Sequence, residues 1–381
     1  MKQYFLDTAS TTRPYQEVVD TVADVMYNHY GNPSSTHEMG QDARDIIESV
    51  RSQIAEDINC EPDEIIFTSG ACEANSLAIM GVLNATEYTV LCTTRLEHTS
   101  INEAIKYAPV YMFYELTNDN FGYIKLNILE KSLKEASMRF EKALVSVSFA
   151  NSEIGVIQDI KSIAKIVHKY NGLLHVDATQ MYPWSNIDVK DLGIDLMSVS
   201  GQKMHSVKGV GFLYVRDGID IDPLIYGSQQ EGRRGGTYPT HLIAAFGKAL
   251  EITRTHNATE IVRELRDYML DRLLHIEDVH LNGPLLNEHR LPNNISLTID
   301  RVNASTLTTM CDLMGVIIAK GSACQSHEPK PSKTLLAIDL TPEQALNTIR
   351  ISLDEFNTKE EIDKAVEIIT KLVERIRTNE Q

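Results

Sequence analysis

Three residues of this 381-residue chain stand where their side chains could do chemistry: a lysine and an aspartate that each close an apolar run, and a cysteine in a loop among cations. In "SVSGQKMHSVKGVG", Lys203 follows the β-like run "DLMSVS" and precedes a glycine-rich turn into "GVGFLYVR". A lysine at a strand end is ordinarily a solvated charge. When neutral it is also an amine nucleophile and a base. Asp177 ends "LLHVD", a run that reads as a buried central strand, where an unpaired carboxylate is costly and calls for a positive partner. An arginine, a set of backbone amides or the protonated ring nitrogen of a bound heteroaromatic group would each serve. Lys203 is expected at the end of the next strand but one, so both side chains project from the same edge of a sheet. An aspartate facing a pyridinium nitrogen, together with an imine-forming lysine, is the pair by which proteins hold pyridoxal phosphate.

Other residues fit around that pair. In "FTSGACEANSLAI", residues 67–79, a strand gives way to a Ser-Gly turn and a helix from near Ala71, so backbone N–H groups converge as an anion cradle. The same stretch also reads as an ordinary turn capped by Ser69, with Cys72 a small filler. His98 in "RLEHTSI" follows the strand "TVLCTT" and could stack on a pyridine ring, although a lone histidine is more often simply a core or surface residue. Asn151 follows "ALVSVSF", where its amide could touch an oxygen on the cofactor ring, although an asparagine there more commonly serves a turn or cap. The loop "GSQQEGRRGGTYP", residues 227–239, carries arginines that could reach an anion or simply form a surface turn. Cys324 lies in "AKGSACQSHEPKPS" among Lys320, His327 and Lys330; an exposed thiol beside cations is a candidate nucleophile. Arg350 in "TIRISL" has apolar neighbours, and a half-buried guanidinium suits either bidentate capture of a carboxylate or a structural ion pair.

The elements that position these residues are legible as alternation. From about 60 to 215, short β-branched runs alternate with helical patterns, the mark of βαβ units around a mostly parallel sheet. Such sheets bind ligands at the carboxyl ends of their strands. A helical tract over 240–275 breaks the alternation, and "NISLTI", "GVIIA" and "TIRISL" follow as strands of a smaller α/β domain. The division expected is a large domain over 15–255 and a small one built from 1–14 and 256–381, with the first forty residues packing back on the small domain. With 36 Lys and Arg against 53 Asp and Glu, the net charge of −17 argues against nucleic acid or anionic membranes as partners. No apolar run is long enough for a membrane span and "MKQYFLDTAS" is unlike a signal peptide, which predicts a cytoplasmic protein. Five cysteines without paired ligand spacing predict neither a disulfide framework nor a resident metal site.

Taken together, the chain resembles the pyridoxal-phosphate-dependent cysteine desulfurases of the NifS/IscS type, within the class V aminotransferases. The resemblance runs nearly end to end, through "FLDTASTTRP", "YGNPSSTHEMG", "FTSGACEAN", "EHTSI", "NSEIGVIQDI", "HVDATQ", "SGQKMHSVKGVGFLYVR", "GGTYP", "LPNNISLTI", "GSACQS" and "IRISL". It implies a type I fold with a large cofactor-binding domain and a smaller C-terminal α/β domain. It further implies a homodimer with the active site at the subunit interface. Lys203 would form the imine, Asp177 pair with the pyridinium nitrogen, Gln180 bond the ring hydroxyl and His98 stack on the ring. Ala71, Cys72, Ser200 and Gln202 would line the phosphate, with Thr237 arriving from the partner subunit. Asn151 and Arg350 would hold the carboxylate side of L-cysteine. Cys324 would accept the sulfur as a persulfide and pass it to an acceptor protein for iron–sulfur cluster assembly or thiolation, with transient iron–sulfur ligation a further possibility at that thiol. A selenocysteine lyase, another class V enzyme or a non-catalytic scaffold are the competing readings.

Three positions depart from the family pattern. Cys72 stands where threonine is usual, and a thiol is the weaker donor to a phosphate. Gln202 stands for histidine before Lys203, and Glu231 where an arginine is expected. These departures predict weaker cofactor retention or a specialised subfamily rather than lost chemistry.

Overall fold

The computed structural model describes residues 2–286, 289–321 and 330–379. Its strands are β1 (Tyr4–Phe5), β2 (Ile65–Thr68), β3 (Tyr88–Thr94), β4 (Met112–Leu116), β5 (Lys142–Ser148), β6 (Leu173–Asp177), β7 (Leu196–Ser200), β8 (Gly211–Val215), β9 (Val279–Leu281), β10 (Asn294–Ile299), β11 (Val316–Ile317), β12 (Ala319–Lys320) and β13 (Thr348–Ser352). Among the described residues, seven strands form the larger sheet in the order β2-β8-β7-β6-β5-β3-β4. The pairs from β7 to β4 are parallel, whereas β8 runs antiparallel to both β7 and β2. Two reversals leave β2 running with β7, so the carboxyl ends of every strand but β8 lie along one edge.

The central strands are apolar without alternation because both faces are covered. On β8, Phe212 and Tyr214 enter one hydrophobic core while Leu213 and Val215 enter the other. The period of two along a strand thus delivers successive side chains to opposite layers. A separate core joins Leu6 to Val262, Leu297, Ile349 and Ile369, around the antiparallel sheet β12-β13-β10-β9 and the β1–β11 pair.

Four expectations change. β6 and β7 are immediate neighbours, with Asp177 opposite Ser198. The connection between them makes only short helical turns at Tyr182–Trp184 and Val189–Leu192, so no strand intervenes. Of the first forty residues, only the stretch through β1 and Asp7 joins that separate core, Asp7 bridging Ser352. The helix Gln16–Asn28 instead packs on the helix Thr240–His256, and Tyr15 and Val18 sit in the larger core. The tract 240–275 is two helices, because Asn257 takes the left-handed conformation (φ 44°) and ends the first. "GVIIA" likewise splits at Ile318 into β11 and β12, which belong to different sheets.

Candidate active site

A cavity of about 920 Å³ opens at the carboxyl edge of the larger sheet. Its floor begins after β2, where the chain turns at Gly70 (φ +142°) into a helix starting at Ala71. Gly70 caps this helix without a side chain, so the first-turn N–H groups of Ala71 and Cys72 meet the cavity uncapped. The expected cap, Ser69, is itself a donor: its N–H bonds Glu73 Oε2 at 2.7 Å. Gly211 at the start of β8 lets the turn sit this close, because a Cβ there would lie 2.3 Å from Val199 O and 2.8 Å from Gly70 Cα. Ser200 and Gln202 line the same end of the cavity. Thr12 fixes the Gln202 backbone, donating to its carbonyl oxygen from both N–H and Oγ1 at 3.1 Å.

Asp177 is buried at the end of β6 and only part of its acceptor capacity is used. Its Oδ1 accepts from Thr179 N–H at 3.0 Å and its Oδ2 from Asn75 Nδ2 at 2.8 Å. Lys203 follows β7, and its ammonium donates to the carbonyl oxygens of Ala9 and Ser10 at 2.6 and 2.5 Å. Burial, with the Arg350 charge adding, lowers its pKa to about 8 against the opposing pull of Asp7 and Asp177. Gln180 shares the Ala9 carbonyl, donating from Nε2 at 3.1 Å.

Arg350, buried on β13, donates through Nη2 to Asp7 Oδ1 at 2.7 Å and Ser10 Oγ at 2.9 Å. Its buried Nε has no partner among the described residues. Arg350 lines the cavity, and a guanidinium there is a place for an anionic group. The segment Asp7–Ser10 therefore ties Lys203, Gln180 and Arg350 together, and it reaches them from the start of the chain.

Asn151 lines the cavity with its amide largely committed. Its Nδ2 donates to Leu96 O at 2.7 Å, and its Oδ1 accepts from the N–H groups of Glu153 and Ile154. His98 caps the helix Thr99–Ile105, and desolvation lowers its pKa, Lys203 adding and Asp177 opposing. Thr237 is exposed and outside the cavity of its own chain. The loop arginines are spent on the protein: Arg234 pairs with Glu73 at 2.8 Å, and Arg233 donates to Asp63 O. Burial opposes ionisation of Glu73, but hydrogen bonds from Arg234 and Ser69 outweigh it and hold the carboxyl below its usual range. Glu231 is exposed, 3.5 Å from Arg233. Cys324 and His327 lie outside the described residues. The chain on either side of them flanks Arg350, since Ala319 on β12 is its strand partner and Thr334 lines the cavity.

The sequence missed several participants. Gln230 pins the glycine-rich loop by bonding both the N–H (2.7 Å) and the carbonyl oxygen (2.9 Å) of Phe67 on edge strand β2. Glu97 and Glu153 are acids in the cavity wall, each pushed by burial to about 7. Thr94 and Ser148 hydroxyls donate to Glu97 at 2.6 Å, and Ser332 donates to Glu153 at 2.5 Å. Neighbouring Ser and Thr at strand ends were the available signal, but a buried acid needs its tertiary surroundings to be recognised.

These residues fit pyridoxal phosphate: uncapped N–H groups for its phosphate, a carboxylate with acceptor capacity left for its ring nitrogen, and a depressed lysine for its aldehyde. Solved structures share the whole architecture. A NifS-like protein matches with a TM-score of 0.90 at 31% identity, over 98% of this chain and 99% of its own. SspA in complex with cysteine matches with a TM-score of 0.78 at 28% identity, over 92% of this chain and 98% of its own. The fold is accordingly the α/β fold of the NifS-like pyridoxal-phosphate enzymes. The aminotransferase class-V family model matches residues 4–365, and the chain belongs to that family. Among curated relatives, cysteine desulfurase IscS 1 of Archaeoglobus fulgidus is 37% identical, covering 98% of both chains.

Proposed function

We propose that the chain is a pyridoxal-phosphate-dependent cysteine desulfurase, converting L-cysteine to L-alanine and passing the sulfur to Cys324. The observation that carries this reading is that one cavity is lined by Arg350, the depressed Lys203 and Asp177 together. When bound, the cofactor supplies an electron sink that makes the substrate Cα proton removable. Asp177 opposes the positive charge of its ring nitrogen, and the turn at Ala71 and Cys72 receives its phosphate. Arg350 binds the substrate carboxylate and so fixes which face of Cα meets Lys203. Lys203 Nζ, partly neutral near pH 8, takes that proton, and the carbonyls of Ala9 and Ser10 hold the resulting ammonium. Cys324 as thiolate attacks the substrate sulfur: an S–S bond forms, the C–S bond breaks, and the carbon is protonated to leave alanine. The persulfide then passes to an acceptor such as an iron–sulfur scaffold or a thiolation enzyme.

Exposure of Thr237 outside its own cavity supports a homodimer in which a second copy supplies that hydroxyl. The separation of the core around the small antiparallel sheet from those that flank the larger sheet supports reading the chain as a large domain over 15–255 and a small one from 1–14 and 256–381. A cytoplasmic setting is supported by the free thiols at Cys60, Cys72, Cys92 and Cys311. Among the described residues, no helix is long and apolar enough to cross a membrane. The direct test is sulfide and alanine release from L-cysteine by wild type and Cys324→Ala, each showing the visible cofactor band. Wild type should release both products, and the variant should keep the band and lose sulfide. A wild type that holds the cofactor and leaves cysteine untouched overturns the reading.

A further inference from the structure

Behind the cavity wall, Asp177 and His98 are joined by two side chains that the reaction itself does not use. Asn75, fully buried, donates from Nδ2 to Asp177 Oδ2 at 2.8 Å and to Ser100 Oγ at 2.9 Å. The amide is oriented by chemistry, since its oxygen in that place would face a carboxylate. Both Nδ2 hydrogens are then committed, and Ser100 Oγ is an acceptor toward Asn75. The Ser100 hydroxyl hydrogen is left for His98 Nδ1, 2.8 Å away. Ser100 N–H donates to the same nitrogen at 3.2 Å. Two donors converge on Nδ1, so that nitrogen carries the lone pair and the ring proton resides on Nε2. Nε2 has no protein partner among the described residues, and His98 lines the cavity.

We propose that Asn75 and Ser100 are positioning residues that hold His98 as its neutral Nε2–H tautomer, so the imidazole meets bound cofactor and substrate as a hydrogen-bond donor. This inference rests on the reading of the cavity as the cofactor site. Desolvation of the ring acts in the same direction, disfavouring the imidazolium. The other titratable groups in the surrounding wall are Asp177, Lys203, Arg350, Glu73, Glu97, Glu103, Glu153 and Cys72.

The test is nitrogen NMR of the full chain labelled at histidine, with and without cofactor, assigning His98 by the signals lost in His98→Gln. In wild type, His98 should show a protonated Nε2 and a bare Nδ1. Ser100→Ala should weaken that preference about fivefold, the factor that one ordinary net hydrogen bond supplies, and move the His98 titration midpoint upward. Ser100→Thr should restore both. Asn75→Ala should shift them the same way, and if it fails to fold, the Ser100 pair still decides. Unchanged tautomer populations and midpoint in Ser100→Ala overturn the proposal, as does a wild-type ring protonated on Nδ1. The two readings fail separately: a wild type that does not desulfurate cysteine yet shows the expected nitrogen pattern sinks the assigned reaction and supports the tautomer assignment.

Discussion

Lys203 has to be an amine at the moment it meets the cofactor aldehyde, and its surroundings work toward that. Burial and the Arg350 charge bring it to about 8, while Asp7 and Asp177 hold the proton on. Uptake of pyridoxal phosphate by the stripped chain should therefore accelerate as pH rises and level off above about 8, as followed by the growth of the visible band. Asp7→Asn removes a carboxylate that favours the ammonium, so its midpoint should fall. A wild-type midpoint near the ordinary lysine value would count against this account. Arg350 makes a second prediction. Its planar fork reaches Asp7 and Ser10 through Nη2 and lines the cavity beside Lys203. Arg350→Lys keeps the charge and loses the fork, so KM for cysteine should rise roughly tenfold or more, the worth of one charge-assisted hydrogen bond. The turnover number should change less; equal loss in both would point to a role in the chemical step.

Between elements, the cavity depends on how closely the turn after β2 approaches β7 and β8. The positive φ of Gly70 shapes that turn, and bare Gly211 lets both Gly70 and Val199 O approach its Cα closely. Gly211→Ala would drive a Cβ into backbone on both sides, where no side chain can swing away. Denaturant unfolding should show a loss of about 1–3 kcal/mol, together with weaker cofactor binding because the cradle is pushed out of place. Full retention of both would mean the two strands part easily. The alternation of runs was sufficient to read the βαβ layout and the edge on which Asp177 and Lys203 meet. It was insufficient for β4, an edge strand with interleaved burial, and for the adjacency of β6 and β7, since strand order is a property of the sheet.

Across the whole molecule, the small sheet and a core of the larger sheet are clasped beside the site. Tyr15, at the start of the helix on the large core, donates to Glu355, which follows β13. His205, two residues beyond Lys203, lies 3.4 Å from the same carboxylate and packs on Tyr15 with the rings tilted by 37° and their centroids 4.7 Å apart. Burial opposes ionisation of Glu355, yet His205 and Tyr15 outweigh it and hold it at about 2, while His205 itself is raised. A depressed carboxyl contributes stability that is present above its unfolded pKa and lost on acidification toward 2. A raised histidine contributes stability that is complete below its unfolded value and lost as pH rises through the folded one. Glu355→Gln should therefore destabilise the chain by roughly 3 kcal/mol near pH 6, as expected for breaking a buried pair. The deficit should shrink at alkaline pH, where His205 is neutral in either protein. A deficit that is flat with pH would remove the histidine from the account.

Motif by motif, the sequence alone was enough to recognise the family, the cofactor and the edge of the sheet where chemistry happens. Those properties reside in local patterns, apolar runs and turn residues whose meaning survives without coordinates. Partnership was decided only by the tertiary structure. It commits the Asn151 amide to backbone, gives Lys203 the carbonyls of Ala9 and Ser10, joins Arg350 to Asp7 and Ser10, and raises Glu97 and Glu153 to about 7. Each of these joins residues far apart in the chain, and a hydrogen bond or a desolvated charge depends on distance and burial, which sequence spacing does not encode.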